Sequence, residues 1–438
     1  MIAAELEPIL ALALKGGAQV AEVFSVETEE TPVLFEANRL KQMNARQSSG
    51  AALRVIAEGR IGFASSTRAG AAAELVAAAL ETAPFGPEAR LDFPAAQDYP
   101  EVEVFDPSVE QVSVEHMVHL GQSLIDAVRR HQPDLQCNAS VRKAFSRVSC
   151  LNSNGGNFSY QGSVFSLNVS GTLVRGTDML FVGDGDVSCQ PIADFKVVET
   201  HVAEQLERSR EIAAVSSGEL PVIFTPQGVS TLIMPLAMAF SGRMVYQGQS
   251  PLVGCLGREM YHPQISIWDD STLAYRPSSR ICDDEGVASR RLPLVEGGIV
   301  RNFLYDLQTA GLAGADSTGH GQRSLSSQPS ISTSSLVINE GDVAFVEMVR
   351  DVKEGLVVEW LMGAGQGNVL GGDFSGNVLL GYKIDKGEIV GRVKDTVVSG
   401  NVHKALKDIA AIGKERRWVN GRLNAPALYC AGLTVSSK

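Results

Sequence analysis

Residues 163–173 read Ser163-Val164-Phe165-Ser166-Leu167-Asn168-Val169-Ser170-Gly171-Thr172-Leu173. Phe165, Leu167, Val169 and Leu173 face one way while Ser166, Asn168, Ser170 and Thr172 face the other, the period of two that marks a strand with one buried and one polar face. A second strand is read at 146–152, joined to the first by a turn around Asn154-Gly155-Gly156. Upstream, strand-like runs fall at 21–26, 33–37, 50–57 and 61–64, with Glu58-Gly59 a tight hairpin between the last two.

Helices alternate with these strands at wide intervals. Leu6, Ile9, Leu10, Ala13 and Leu14 share one helical face, and Gly16-Gly17 ends it. An Ala-rich helix is expected at about 69–82. A clear one runs over 113–130, with Ser113 as N-cap and Val114, Met117, Val118, Gly121, Ile125 and Val128 on one face. Others are expected at 195–215, at 225–240 with a kink at Pro235, and at 402–412 on the stripe Val402, Ala405, Leu406 and Ile409. Pro87, Pro94, Pro100 and Pro107 mark 85–108 as a linker or crossing segment. Beyond residue 218, glycine turns such as Glu296-Gly297-Gly298, Lys353-Glu354-Gly355 and Asp385-Lys386-Gly387 separate β-rich runs, and a strand at 427–435 closes the chain. The pattern predicts an α+β fold in three units: 1–85, 105–215 (which can pack with the first as one domain) and a large, glycine-rich, mainly antiparallel β domain at 218–438.

Composition sets limits on function. The 438 residues include 43 glycines, which imply many tight turns and short strands. Lys and Arg number 38 against 50 Asp and Glu, a net charge of −12 that repels phosphate backbones and anionic membrane surfaces. The longest basic patch is Lys414, Arg416 and Arg417, so neither nucleic acid nor membrane is expected as a partner. The six cysteines form no C-x-x-C pair and read as buried free thiols of a reducing compartment. The start, Met1-Ile2-Ala3-Ala4-Glu5-Leu6-Glu7, lacks a basic n-region, and no run of 18 apolar residues occurs. A cytoplasmic protein is the expectation.

Catalytic motifs fail one by one. None of the seven histidines is followed by Glu, so H-E-x-x-H is absent. His116 and His119 fall opposite the apolar face of their helix and read as solvated. Asp184-Gly185-Asp186 reads as a turn, since Val187-Ser188-Cys189 breaks a calcium-loop pattern. Asp269-Asp270 and Asp283-Asp284-Glu285-Gly286 read as solvated acidic turns, or as a carboxylate lining for peptide amines or a cation. His320 lies in the polar run Ser317-Thr318-Gly319-His320-Gly321-Gln322-Arg323, where a site could be built. No phosphate loop, dinucleotide fingerprint or G-x-S-x-G elbow occurs.

The third unit resembles the TldD/PmbA family, and more closely its PmbA (TldE) branch. The resemblance rests on Gly242-Arg243-Met244-Val245-Tyr246-Gln247-Gly248-Gln249-Ser250, on Asp269-Asp270, on Asp283-Asp284-Glu285-Gly286-Val287 and on Glu296-Gly297-Gly298. It continues through Leu304-Tyr305-Asp306, Ser317-Thr318-Gly319 with Arg323, and Gly371-Gly372-Asp373-Phe374-Ser375-Gly376. Matching stretches in the first two units, such as Gly59-Arg60-Ile61-Gly62-Phe63-Ala64-Ser65 and Asn152-Ser153-Asn154-Gly155, extend it along essentially the whole chain.

This resemblance implies a metalloprotease assembly. TldD-type members carry a helix-borne H-E-x-x-x-H and a later Cys as zinc ligands, and pair with PmbA-type subunits that lack the metal set. The pair encloses a cavity and acts on unfolded or flexible peptides, in proteolysis, peptide-antibiotic precursor maturation and antitoxin degradation. An older family label is modulator of DNA gyrase. The matching helix here, 228–240, has no His, Glu or Cys, so no zinc ligand carries over, and Cys430 falls later than the family's ligand. The expectation is a non-catalytic subunit with no cofactor of its own, zinc residing in a TldD-like partner, and a homodimer as the state adopted alone. By β-augmentation it would present backbone groups to an extended peptide. Asp283, Asp284, Glu285, Ser317, Thr318, His320, Arg323, Asp373 and Ser375 are the expected lining of the peptide cavity. A gyrase-type binding protein without proteolysis, and a self-sufficient hydrolase using Asp184, Asp186 or His320, remain as alternatives.

Overall fold

In the computed structural model residues 3–437 are described; Met1, Ile2 and Lys438, the outermost residues of the first and last expected units, lie outside them. The N-terminal half is built from α1 (Ala3–Lys15), β1 (Val20–Glu36), β2 (Arg39–Met43), β3 (Arg46–Ala57), β4 (Arg60–Ser66) and α2 (Ala72–Thr82). It continues with α3 (Ser108–Gln111), α4 (Val114–His131), β5 (Gln136–Asn152), β6 (Asn157–Arg175), β7 (Asp178–Ser188) and α5 (Lys196–Arg208). The runs expected at 21–26 and 33–37 merge into the single strand β1, because the chain between them stays extended and Thr31 and Pro32 pair with Lys143 and Arg142 of β5. Glu58 and Gly59, at φ 52° and 74°, form the expected β3–β4 hairpin. Ser113 caps α4 by accepting the His116 N–H at 3.1 Å.

The strands form one antiparallel sheet in the order β4-β3-β1-β5-β6-β7, with β2 also on β1. Strands from 1–85 and from 105–215 therefore lie in the same sheet, and residues 86–107 cross between them with Leu91, Phe93 and Val104 buried. Met117, Leu124, Ile125 and Val128 of α4 pack on the odd-numbered Val33, Val141, Phe165, Leu167 and Val169. Alternation then places the even-numbered residues of β1, β5 and β6 on the opposite face, which forms a broad platform.

The C-terminal half begins with β8 (Gly218–Phe224), α6 (Pro226–Phe240), α7 (Gly242–Tyr246), β9 (Ile267–Asp270), β10 (Arg291–Glu296) and β11 (Ile299–Val300). Next come α8 (Leu307–Ala313), β12 (Gly321–Gln322), β13 (Ser330–Ile331), β14 (Leu336–Ile338), α9 (Phe345–Asp351), β15 (Glu354–Met362) and β16 (Asp373–Asp385). The chain finishes with β17 (Glu388–Arg392), β18 (Thr396–Asn401), α10 (Val402–Lys407), β19 (Ile409–Val419) and β20 (Leu423–Ser437). Neighbours run β8-β15-β16-β18-β20, and β20 pairs back onto β8, so these strands close a ring. Closure removes strand edges that would otherwise pair with other chains. Thr225 caps α6, whose Val229, Leu232, Leu236 and Phe240 share a core with Val222, Phe224, Val358 and Phe374 of the ring.

Three boundaries differ from expectation. The helix foreseen at 402–412 stops at Lys407; Ile409 and Ile412 instead lie in β19, paired with Cys430 and Leu428. A stripe at that spacing buries equally well in either state, and pairing along β20 satisfies the backbone. The helix foreseen at 195–215 ends at Arg208, after which Ile212 bridges to Arg392. Asp184-Gly185-Asp186 lies within β7 rather than in a turn. The architecture is α+β, with small N-terminal α/β layers followed by a large, mainly antiparallel β domain. No helix among the described residues is long and apolar enough to cross a membrane.

Candidate functional site

The platform meets the barrel half at several places, and one of them gathers Asp283, Asp284, Glu285 and Arg323. At one end of the platform, β1 and β3 present Glu22 and Arg54 opposite each other. Arg54 reaches Glu22 at 3.2 Å and Glu285 at 2.7 Å; Arg323 reaches Glu22 at 2.7 Å. All four side chains are at most 2% exposed. The Arg323 amide donates to the Asp284 carboxylate at 2.8 Å and its guanidinium to the Asp284 carbonyl. Asp283, Asp284, Glu285 and Arg323 thus come together, but as a buried seam instead of the solvated turn or open lining foreseen. Buried charges survive only when paired, and the cation that pairs Glu285 is Arg54, on a strand 231 residues away, a linkage that local spacing does not show.

The electrostatics follow from that packing. Burial pushes the Glu22 carboxyl up, but Arg323 and Arg54 outweigh it and hold its pKa below the usual range. Asp283 behaves in the opposite way. Burial and the neighbouring Glu285 charge push it up to about 7, although it accepts N–H groups from Glu285, Val287 and Gly321 at 2.8–3.0 Å.

The remaining expected residues divide. His320 is buried with its Nε2 3.4 Å from Asp269, while its Nδ1 lies 2.9 Å from the Thr318 hydroxyl. Thr318 accepts the Tyr305 N–H at 2.7 Å, and the Ser317 hydroxyl donates to the Tyr305 carbonyl at 3.2 Å. These side chains fasten one loop to another. Asp373 and Ser375 lie elsewhere, exposed on β16, where Asp373 accepts from Asn401 at 2.8 Å. His116 and His119 are exposed, as expected. Five cysteines are buried and free; Cys255 is half-buried.

At the other end of the platform lies a cleft of about 640 Å³ that contains none of the residues expected to line the peptide cavity, although Asp184, a candidate of the hydrolase alternative, borders it. Its floor is the polar face of β2, β1, β5, β6 and β7, including Ser140, Asn168 and Ser170. Its overhang comes from the barrel: Gln227 in the first turn of α6, Trp360 of β15, and Trp418 and Asn420 around the β19–β20 turn. At its rim the Asp184 carboxylate is bound by Arg417 of β19 and lies 3.1 Å from His201 of α5. Behind it, the Thr225 hydroxyl donates to Glu359 at 2.9 Å, and burial pushes the Glu359 pKa up. Two of these features were visible as oddities of composition: Arg54 is a lone charge within Ala51-Ala52-Leu53-Arg54-Val55-Ile56, and Glu22 stands between Ala21 and Val23. Trp360 and Trp418 carried no such signal.

Zinc is the metal the fold family implies, and the donor set does not fit it. From Thr225 to Phe240 the only side-chain heteroatoms are those of Thr225, Gln227, Ser230, Thr231, Met234 and Met238. Zinc takes imidazole, thiolate and carboxylate. Among the described residues no group of three or more His, Cys, Asp or Glu side chains is placed to hold a metal ion.

The two-half architecture is that of a known class of protein. Residues 217–437 match the PmbA/TldA metallopeptidase C-terminal domain and residues 21–83 match PmbA/TldA metallopeptidase domain 1. The chain belongs to the PmbA/TldD metallopeptidase family. A metalloprotease of Methanothermobacter thermautotrophicus is 25% identical over 91% of this chain and 89% of its own length. A metalloprotease PmbA homolog of Haemophilus influenzae is 25% identical over 66% of each. Crystal structures of TldE from Thermococcus kodakarensis (TM-score 0.91, 22% identity, 99% and 100% covered) and of a Thermotoga maritima protein described as a modulator of a DNA gyrase (0.90, 22%, 100% of each) share the fold.

Proposed function

We propose that this chain is the metal-free subunit of a heteromeric TldD/TldE-type metalloprotease, and that a zinc-bearing TldD-like partner completes it for cleavage of unfolded or flexible peptides. The observation that carries this reading is α6: the helix that would bear the zinc ligands offers only amide, hydroxyl and thioether groups. Of the residues expected to act, His320 lies against Asp269 and Glu285 is paired with Arg54. On this reading the chain closes the chamber and holds substrate, and needs no cofactor of its own.

The test is to assay a flexible peptide with the purified chain, with a zinc-loaded TldD-like subunit from the same cell, and with both. Cleavage is expected at full rate only in the mixture, with zinc stoichiometric to the partner alone. Peptide cleavage by this chain by itself, with one bound zinc per chain, would sink the reading.

A further inference from the structure

The cleft between platform and barrel has a floor and an overhang of side chains. Its floor crosses β2, β1, β5, β6 and β7; the central β1, β5 and β6 have a partner strand on either side, so their N–H and C=O groups are already paired. Strand addition is therefore closed to a ligand that lies across those three strands. What it meets instead are carboxamides on two sides: Gln42, Asn138 and Asn168 from the floor, Gln227 and Asn420 from the overhang. Asn138 accepts the Ala37 N–H at 3.0 Å, which leaves its amide protons free. The other four carboxamides have no hydrogen-bond partner among the described residues.

A carboxamide has the same donor and acceptor chemistry as a peptide group. An extended chain lying between floor and overhang presents N–H and C=O alternately to either side, and amides on both sides can meet them. Five strands at roughly 4.8 Å spacing make the floor about 19 Å long, the reach of about six extended residues at roughly 3.3 Å each. Charges at the ends are matched within the protein, Glu36 with Lys41 and Asp184 with Arg417, so the cleft suits an uncharged occupant. Trp360 and Trp418 overhang this path. Gly183 leaves room for the first, since a Cβ there would lie 3.3 Å from the indole, and Arg276 stacks 4.5 Å from the ring of the second.

We propose that this cleft is an amide clamp. It grips the backbone of an uncharged, extended segment of about six residues, with Trp360 and Trp418 favouring an apolar or aromatic side chain beneath them. The proposal rests on the reading that flexible peptides are the substrate; it adds that the metal-free chain itself holds them, by side-chain amides, away from any zinc.

The test is a tryptophan-fluorescence titration of the full chain with a capped hexapeptide of Ala, Ser and Leu with one central Phe, with the same peptide N-methylated at alternate amides, and with cellotetraose. A saturable change is expected with the plain peptide. The N-methylated peptide should bind about tenfold more weakly or worse, from the loss of one or two hydrogen bonds. Asn168→Ala and Asn420→Ala, at exposed sites, should each weaken binding severalfold, and Trp268→Phe should not. Equal binding of the N-methylated peptide, a response to cellotetraose in place of the peptide, or no saturable change at all would overturn the clamp. Cleavage in the mixture with the zinc subunit is scored separately: a chain that binds but supports no cleavage keeps the clamp and loses the subunit reading, and the reverse result does the opposite.

Discussion

Asp283 is held by three backbone N–H groups yet crowded by Glu285, and its carboxyl is pushed up to about 7. The unfolded chain releases that proton near pH 4. Between those values the folded state carries the extra proton, so the contribution of this group to stability is complete at low pH and is lost as pH rises through 7. Urea midpoints measured from pH 4.5 to 8 should therefore fall more steeply for the wild type than for Asp283→Asn, whatever the offset between them; equal slopes would refute this. The acidity of 283–285 was plain in the sequence, but its burial was not. A run of carboxylates reads the same whether water or a distant guanidinium neutralises it, and Arg54 lies 231 positions from Glu285.

At the scale of single elements, the agreement was best where one face is buried and the other wet. The alternation of Phe165, Leu167 and Val169 against Ser166, Asn168 and Ser170 was legible because it reports a sheet with α4 on one side and the platform face on the other. It failed at 402–412, where both candidate states bury the same residues. Helix α6 shows how closely an element can be seated. A Cβ on Gly228 would come 2.3 Å from the Val358 carbonyl, so this helix lies directly on β15. Gly228→Ala should push α6 off the barrel and lower stability by about 1–3 kcal/mol. Thermal unfolding checks this, and an unchanged midpoint would mean that the helix shifts without loss.

The two halves of the molecule meet at several places, among them the ionic seam, the Asp184 rim, the Arg392–Asp178 pair and a shared apolar core. At the seam, one guanidinium serves carboxylates from both halves: Glu22 from the platform and Glu285 from the barrel half. Arg54→Met keeps the volume and leaves Glu285 buried without its cation, which should lower unfolding free energy by about 3–5 kcal/mol. Glu22 retains Arg323, which still joins the halves, so the loosening should be local to the unpaired Glu285; limited proteolysis near residues 283–287 should rise in parallel with the drop in urea midpoint. Protection equal to wild type would show that the seam is incidental to docking. Closure of the barrel carries a different consequence, one of timing. The platform's last strand ends at Ser188, so its seven strands can assemble early on the ribosome. β8 follows soon after, but its antiparallel neighbour is the last strand made, Leu220 waiting for Leu433. Throughout translation of the segment between them, β8 carries an open edge that chaperones must shield. A nascent chain stalled before Leu423 would be the form most prone to aggregate.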